Sequence, residues 1–314
     1  LQKELDLETA NQQPAHVSVV ICTRNREDKI ANAVGSVLAV GYPSFDLTII
    51  DQSTSDGTRK ALEDILAADS RVSYHHFDEA GLSRAYNRGI ERSTGEIMAF
   101  TDDDCIVPED WLTSIVRAFD AEPDGELLYG RVVPFGEGAE NDELTPSLDV
   151  PVPRRLSKKD GFQVFGMGAN YAARRSLFDR IGPFDEVLGG GGALKSSQDF
   201  DIAYRAYKAG SVTLLRPEVS IRHDGRRERE DWPALLLAYG TGDGGFYTKH
   251  ARCRDPYAMY LLTRQLGGSF VKWVVKVLLL RHPNNWNYIR GFLTGLRGSF
   301  RFKVDRKKRL YRTA

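Results

Sequence analysis

Short apolar runs alternate with polar turns and helix-spaced stretches through the first hundred positions. Val17-Ser-Val-Val-Ile-Cys-Thr23 is a β-branched run of strand length that leaves through Arg24-Asn25-Arg26. Ile30, Val34, Val37 and Leu38 then recur at helical spacing, and Gly41-Tyr42-Pro43 stops that helix. Phe45 to Ile50 predicts a second strand, closing in Asp51-Gln-Ser-Thr-Ser-Asp56-Gly57-Thr58. Thr58 or Asp56 is placed to cap a helix running to Leu66. Val72 to Phe77 predicts a third strand, Gly81 to Arg92 a third helix, and Ile97-Met-Ala-Phe-Thr101 a fourth strand. Four strand–helix units in succession predict a parallel, doubly wound α/β sheet with right-handed crossovers. The first turn carries no Gly-x-Gly-x-x-Gly, which excludes a dinucleotide-binding enzyme of the NAD or FAD type.

The second half is less regular. A helix is expected over Trp111 to Phe119 and a strand over Leu127 to Val133. A long surface excursion follows from Pro134 to Lys159, then a strand from Val164 to Ala173 rich in small residues. Ser176 to Ile181 predicts a short helix. Gly189-Gly-Gly-Gly192 suggests a hinge or flap, and Gln198-Asp199-Phe-Asp201 opens a helix reaching Gly210. Val212 to Leu215 and Val219 to His223 are strand-like. Trp232 to His250 reads as helix interrupted at Gly240-Thr-Gly-Asp-Gly-Gly245. That glycine cluster leaves two readings open, an anion-binding nest or a helix–helix junction.

Charge sharpens the division. Lys plus Arg and Asp plus Glu both number 43, yet residues 251–314 hold fifteen Lys/Arg and two Asp/Glu. An acidic body therefore carries a basic tail, which points to a polyanion or an anionic membrane face. Phe270, Trp273, Val277 and Leu280 with Lys272 and Lys276 make part of that tail amphipathic. A helical hairpin packed on the body, or a dimer contact, is the competing reading. Cys22, Cys105 and Cys253 form no metal-spaced or paired framework, which fits a reducing compartment. Residues 1–16 read as a polar tail without the pattern of a signal peptide, and no apolar run is long enough to predict a membrane span.

The chemistry concentrates where the fourth strand runs into Asp102-Asp103-Asp104. Three carboxylates at the carboxyl end of a buried strand repel one another, so they bind protons, face solvent as an acidic turn, or hold a hard divalent cation.

In that context the chain from Val17 to His250 resembles a family 2 glycosyltransferase with the GT-A fold. The matching pieces are Val-Val-Ile-Cys-Thr-Arg-Asn-Arg26, Ile-Ile-Asp51 through Asp56-Gly-Thr58, and Gly81-Leu-Ser-Arg-Ala-Tyr-Asn87-Arg-Gly89. They continue with Phe100-Thr-Asp102-Asp103-Asp104, Gly168-Ala-Asn170, Gly182-Pro-Phe-Asp185-Glu186, Gln198-Asp199-Phe-Asp201 and Ile221-Arg-His223. The resemblance implies a catalytic domain over residues 17–228, with a nucleotide-binding half (17–105) and an acceptor half (106–228), followed by a basic helical extension (229–314). It implies a nucleotide-diphosphate sugar donor, UDP expected ahead of GDP or dTDP. Thr23, Arg24, Arg26, Asp51, Arg84, Asn87, Asp102 and Asp103 would contact that donor. Asp104, Asp102 and His223 would hold Mn²⁺ or Mg²⁺. Gly168, Ala169, Asn170 and Gln198 would shape the acceptor pocket, and Asp199 would deprotonate the acceptor hydroxyl with inversion at the anomeric carbon.

Two departures stand out: Gln198 where the family usually has Glu, and Tyr86 where Arg is frequent. The Gln-x-x-Arg-Trp motif of processive synthases is absent, so a single transfer to a glycan or lipid-linked acceptor is expected, with no nucleic-acid partner. The implied location is cytoplasmic, at the inner face of the plasma membrane through the 251–314 tail. A sugar nucleotidyltransferase and a catalytically impaired nucleotide-sugar binding protein are the rival functions. His75, His76, His250 and His282 match no motif and are expected at the surface or in packing.

Overall fold

The computed structural model describes residues 13–135, 146–162, 166–225, 228, 230–279 and 285–312. The ten residues 136–145 of the expected surface excursion lie outside this set, as do His282 and Leu280.

The first half follows the hydrophobic pattern closely. β1 (Val17–Thr23), β2 (Phe45–Asp51), β3 (Val72–His76) and β4 (Ile97–Asp102) pair in parallel in the order β3–β2–β1–β4. The helices between them are α1 (Ile30–Leu38), a pair α2 (Gly57–Ala61) and α3 (Glu63–Ala68), and α4 (Leu82–Arg92). A single helix was expected where α2 and α3 lie. It breaks at Leu62, and neither Asp56 nor Leu62 makes a side-chain cap. Thr58 instead shares a hydrogen bond with Ser53 at 2.9 Å.

β1 is buried on both faces, as a central parallel strand must be. Val17, Val19 and Ile21 pack with α1, while Val20 and Cys22 pack on the other side with Tyr86 of α4 and Phe100 of β4. Register then brings chemistry to one edge. Thr23 pairs with Asp51, and Cys22 with Asp102.

Beyond β4 the sheet turns mixed. β5 (Cys105–Ile106), α5 (Trp111–Ala121), β6 (Gly125–Pro134), β7 (Arg154–Leu156), β8 (Asn170–Arg174), α6 (Arg175–Ile181), α7 (Gln198–Ala209) and β9 (Val212–His223) follow in chain order. The full order is β3–β2–β1–β4–β8–β6–β9–β5, with β7 beside β9. β8 runs antiparallel to both β4 and β6. The two strand-like runs after Gly210 are one strand, whose pairing with β6 skips from Arg216 to Ser220 around Pro217.

Three expectations are corrected here. Of the strand predicted over Val164 to Ala173, residues 164–165 lie outside the described residues, and among those described β8 begins at Asn170. Gly166 adopts φ +110°, and Met167 accepts the amide of Asn170 in a turn. The Gly189–Gly192 run is a packed turn rather than a flap: the Gly190 carbonyl accepts from Leu82 at 2.8 Å, and Gly189 lies against Ser83 and Gln198.

The glycine-rich interruption is also absent. α8 (Trp232–Arg252) is continuous and is followed by α9 (Pro256–Leu278) and α10 (Asn285–Ser299). A Cβ at Gly240 or Gly244 would meet the α10 backbone at 2.1 and 2.0 Å, and one at Gly291 or Gly295 would meet the α8 backbone at 2.2 and 1.9 Å. The glycines let two helix backbones touch, which outweighs their low helix propensity. The cluster is therefore a helix–helix junction. A small hairpin, β10 (Lys303–Asp305) and β11 (Leu310–Arg312), follows α10.

Candidate active site

Two groups of polar side chains face each other across the carboxyl edge of β4. The first forms around Asp102, Asp103 and Asp104. β5 pairs with the end of β9 so that Cys105 lies opposite His223. This register brings ligand atoms of Asp102, Asp104, Cys105 and His223 within 4.8 Å of one another. His223 Nδ1 donates to the Pro146 carbonyl at 3.0 Å. That fixes the tautomer and aims Nε2 at Asp104 Oδ1, 3.3 Å away. A Cβ on Gly225 would lie 2.1 Å from the same ring, so only glycine accommodates it there.

The protein's own cations neutralise this cluster in part. Arg26 donates to Asp104 at 2.6 Å and lies 3.7 Å from Asp103, which also accepts from Thr23 at 2.7 Å. Burial opposes the charge of Asp104, but the hydrogen bonds and charges of His223 and Arg26 outweigh it and hold the carboxyl well below the usual range. Burial, then the charge of Asp104, pushes Asp102 up to about 7, and burial lifts Asp103 to about 6. Burial works against protonating His223, yet Asp104 raises its affinity for a proton overall. Carboxylate oxygens with one imidazole suit Mn²⁺ or Mg²⁺, and the donor set fits such an ion.

The second group centres on Asp199. It sits in the first turn of α7, where its Oδ1 accepts from the Phe200 amide at 2.9 Å. Burial lifts its carboxyl to about 6, against the opposing help of the Phe200 and Gly168 backbone amides. Between the groups stands Tyr86, 1% exposed, its hydroxyl 3.5 Å from Asp102 Oδ1. Gly168 faces that same hydroxyl and the amide of Gln198.

The remaining predicted residues fall into three sets. Asp51 is fully buried; its oxygens accept from the Ser53 amide at 2.8 Å and the Tyr74 hydroxyl at 2.6 Å. A cleft of about 640 Å³ opens beside it, lined by Gln52, Ser53, Asp56, Arg59, Tyr74 and His76 among others. Arg24 is exposed on the loop after β1. Arg84 is drawn to Glu186 at 3.3 Å and Glu79 at 3.8 Å.

Asn87 and Asn170 depart from expectation. Asn87 is committed to the backbone of Phe184 as donor and acceptor. Asn170 is fully buried, accepts from Trp111 Nε1 and donates to the Arg131 and Val219 carbonyls. Its amide staples α5, β6 and β9, and both of its hydrogens are spent there, so it has no donor left for an acceptor. Ala169 is 1% exposed and packs in the core.

Sequence reasoning passed over the partners of α7. His250, expected at the surface or in loose packing, is buried on Asp201 at 2.8 Å beside Lys249. The adjacency of Lys249 and His250 to a glycine-spaced helix was the available signal.

A profile described as glycosyl transferase family 2 matches residues 18–182, more than half of the chain. The chain belongs to glycosyltransferase family 2. It is 26% identical over 271 residues to the pre-mycofactocin glycosyltransferase of Mycobacterium tuberculosis, an alignment covering 83% of this chain. The chain spans about half the length of that relative, 53%. Among solved structures it resembles the mannosyltransferase PcManGT from Pyrobaculum calidifontis in complex with GDP-Man and Mn²⁺. The TM-score is 0.62 at 17% identity, covering 92% of this chain and 88% of that one. It also resembles S. aureus TarS 1-349 in complex with UDP-GlcNAc, with a TM-score of 0.57 at 14% identity, covering 90% and 81%. The family 2 chain therefore has the GT-A fold.

Proposed function

We propose that this family 2 chain transfers a sugar from a nucleotide-diphosphate sugar, a UDP-sugar first, to a hydroxyl of a glycan or lipid-linked acceptor. The observation that carries this reading is the meeting of two unlike acidic groups across Tyr86. The charged cluster at Asp102–Asp104 and His223 is made for a diphosphate and its cation, while Asp199 stands apart as a single carboxylate with a raised pKa.

The cleft beside Asp51 and Tyr74 has room for a nucleoside, and Thr23, Arg24 and Arg26 would contact the donor from the chain around Asn25, whose amide donates to Ser53 of the cleft. Arg26 offers positive charge beside Asp103 and Asp104, where the phosphates would lie. Asp102, Asp104 and His223 would hold Mn²⁺ or Mg²⁺, which supplies charge neutralisation to the leaving diphosphate when bound. On the acceptor side, Gly168 leaves space against Tyr86 and Gln198 for a sugar hydroxyl. Asp199 takes the acceptor's proton as the new C–O bond forms and the anomeric C–O bond to the diphosphate breaks. One displacement with one base inverts the anomeric centre.

Gln198, a neutral amide in an acidic family position, favours a binding protein as the second reading. Nucleotide release from UDP-glucose with Mn²⁺, lost in Asp199→Asn with donor binding kept, supports the enzyme. Equal release by both proteins, or by neither, removes Asp199 from its role.

The extension supplies a place for the acceptor. Phe270, Val271, Val275, Leu278 and Leu279 of α9 and its end are exposed beside Lys272. Among the described residues no helix is long and apolar enough to cross a membrane. We propose that this face lies on an anionic bilayer at its cytoplasmic side and brings a lipid-linked acceptor to the site.

A further inference from the structure

The glycine-rich part of α8, from Gly240 to His250, has a place in the fold that bears on the proposed base. It lies beside the start of α7, and its side chains hold Ser197 just before the helix and Asp201 in its first turn, on both sides of Asp199.

Two residues before Asp199, Ser197 donates to Asp243 Oδ1 at 2.7 Å. Asp243 Oδ2 accepts from Tyr288 of α10 at 2.6 Å, and Tyr288 accepts from Gln265 of α9 at 2.8 Å. Ser197 holds φ +69°, a left-handed conformation that costs a non-glycine residue and persists only when its surroundings fix it. The α8 backbone comes close enough to do so because position 242 is glycine. A Cβ there would lie 2.6 Å from the Ser196 carbonyl carbon.

Two residues after Asp199, Asp201 is wholly buried. Its Oδ1 accepts from His250 at 2.8 Å and forms an ion pair with Lys249 at 2.5 Å, and its Oδ2 accepts from Arg205 at 2.8 Å. Lys249 also reaches Asp185 at 2.7 Å, whose Oδ2 accepts the Tyr311 amide at 2.8 Å. Buried ion pairs add little net stability, but each group tolerates only the geometry that satisfies it.

We propose that Asp243, Lys249 and His250 are positioning residues for the proposed base, fixing Asp199 at the anomeric centre by holding Ser197 and Asp201. This rests on the function proposed above. The groups that face Asp199 electrostatically are Asp243 from α8, Tyr86 from α4, Tyr129 from β6 and Tyr171 from β8. Of these, Asp243 adds a like charge.

The test measures nucleotide release from UDP-glucose and GDP-mannose with Mn²⁺ for wild type, Asp199→Asn, Ser197→Ala, Asp243→Ala and Asp243→Asn. Misplacing a base by a fraction of an ångström lowers kcat about 10- to 100-fold, expected for Asp243→Ala and Ser197→Ala with the donor KM within about twofold. Asp243→Asn, whose amide oxygen still accepts from Ser197, is expected to recover most of kcat. Both Asp243 variants move the acid limb of kcat to lower pH, and Ser197→Ala leaves it in place. Inactive Asp199→Asn alongside wild-type kcat and pH profile in Ser197→Ala and Asp243→Ala overturns the inference. Full activity in Asp199→Asn sinks the functional reading instead. Hydrogen exchange at the amides of residues 199–201 needs no turnover: faster exchange in Ser197→Ala, at unchanged far-ultraviolet dichroism, supports the clamp, and unchanged exchange refutes it.

Discussion

Tyr86 places its hydroxyl 3.5 Å from Asp102 Oδ1 while its ring packs on Phe100, Tyr171 and Phe184. Its aromatic body is locked in the core, so its polar tip cannot leave the boundary between the aspartate cluster and the Asp199 side. Tyr86 thus stands as a neutral divider between two acidic groups.

Asp199 sets the first expectation. As the proposed base it must be ionised to accept a proton, and burial lifts its carboxyl to about 6. Activity therefore rises with pH through about 6 and falls below it as the carboxyl protonates. Asp199→Asn should lower kcat on the order of 10²- to 10⁴-fold with little change in donor affinity. A pH–rate profile and donor titration on both proteins read this directly.

Replacing His223 by Ala, or Asp104 by Asn, should weaken Mn²⁺ binding by on the order of 10- to 100-fold or more. Isothermal titration with Mn²⁺ in the presence of UDP measures it. Cys105→Ser serves as the contrast, since a thiol is a soft donor that a hard divalent cation disfavours beside carboxylate oxygens. Its affinity should stay within a few fold of wild type.

Two glycine replacements in the helical extension should have opposite signs. Gly295→Ala forces a methyl within 1.9 Å of the Thr241 carbonyl oxygen and should destabilise by about 1–3 kcal/mol or more. Gly267→Ala meets nothing within 4 Å on α9 and should stabilise by about 0.5–1 kcal/mol. Urea unfolding of both variants checks the pair.

Vesicle flotation addresses the α9 face. Binding to phosphatidylserine-containing vesicles should weaken as salt rises, because its basic component is screened. Val271→Asp with Leu278→Asp should reduce it further, since both side chains are exposed and apolar. Absence of binding to anionic vesicles at low salt would end the membrane proposal.

The parallel half of the sheet was legible because β1, β2 and β4 are buried on both faces and read as mostly apolar runs, β1 above all, while the half-buried edge strand β3 still stood out between two turns. Asp102–Asp104 and His223 could be picked out by motif, and register explains their meeting: Cys22 opposite Asp102, Cys105 opposite His223. Asn170 misled because a motif position does not say where an amide points, and here three neighbouring groups claim it. The glycines of α8 misled more deeply. Local propensity reads them as a break, and only the distant sequence of α10, with Gly291 and Gly295 to match, reveals a close-packed pair. The clamp on Asp201 was hidden for the same reason, since Lys249 and His250 look like surface residues until α8 is folded against α7.

The two-residue bridge between Cys105 and His223 joins parts of the polypeptide more than a hundred positions apart. Ordering so long a connection has an entropic cost that must be met before His223 reaches Asp104. If the proposed site takes up a divalent cation, that uptake becomes a readout of completed folding: during refolding it should appear only once β5 and β9 have paired.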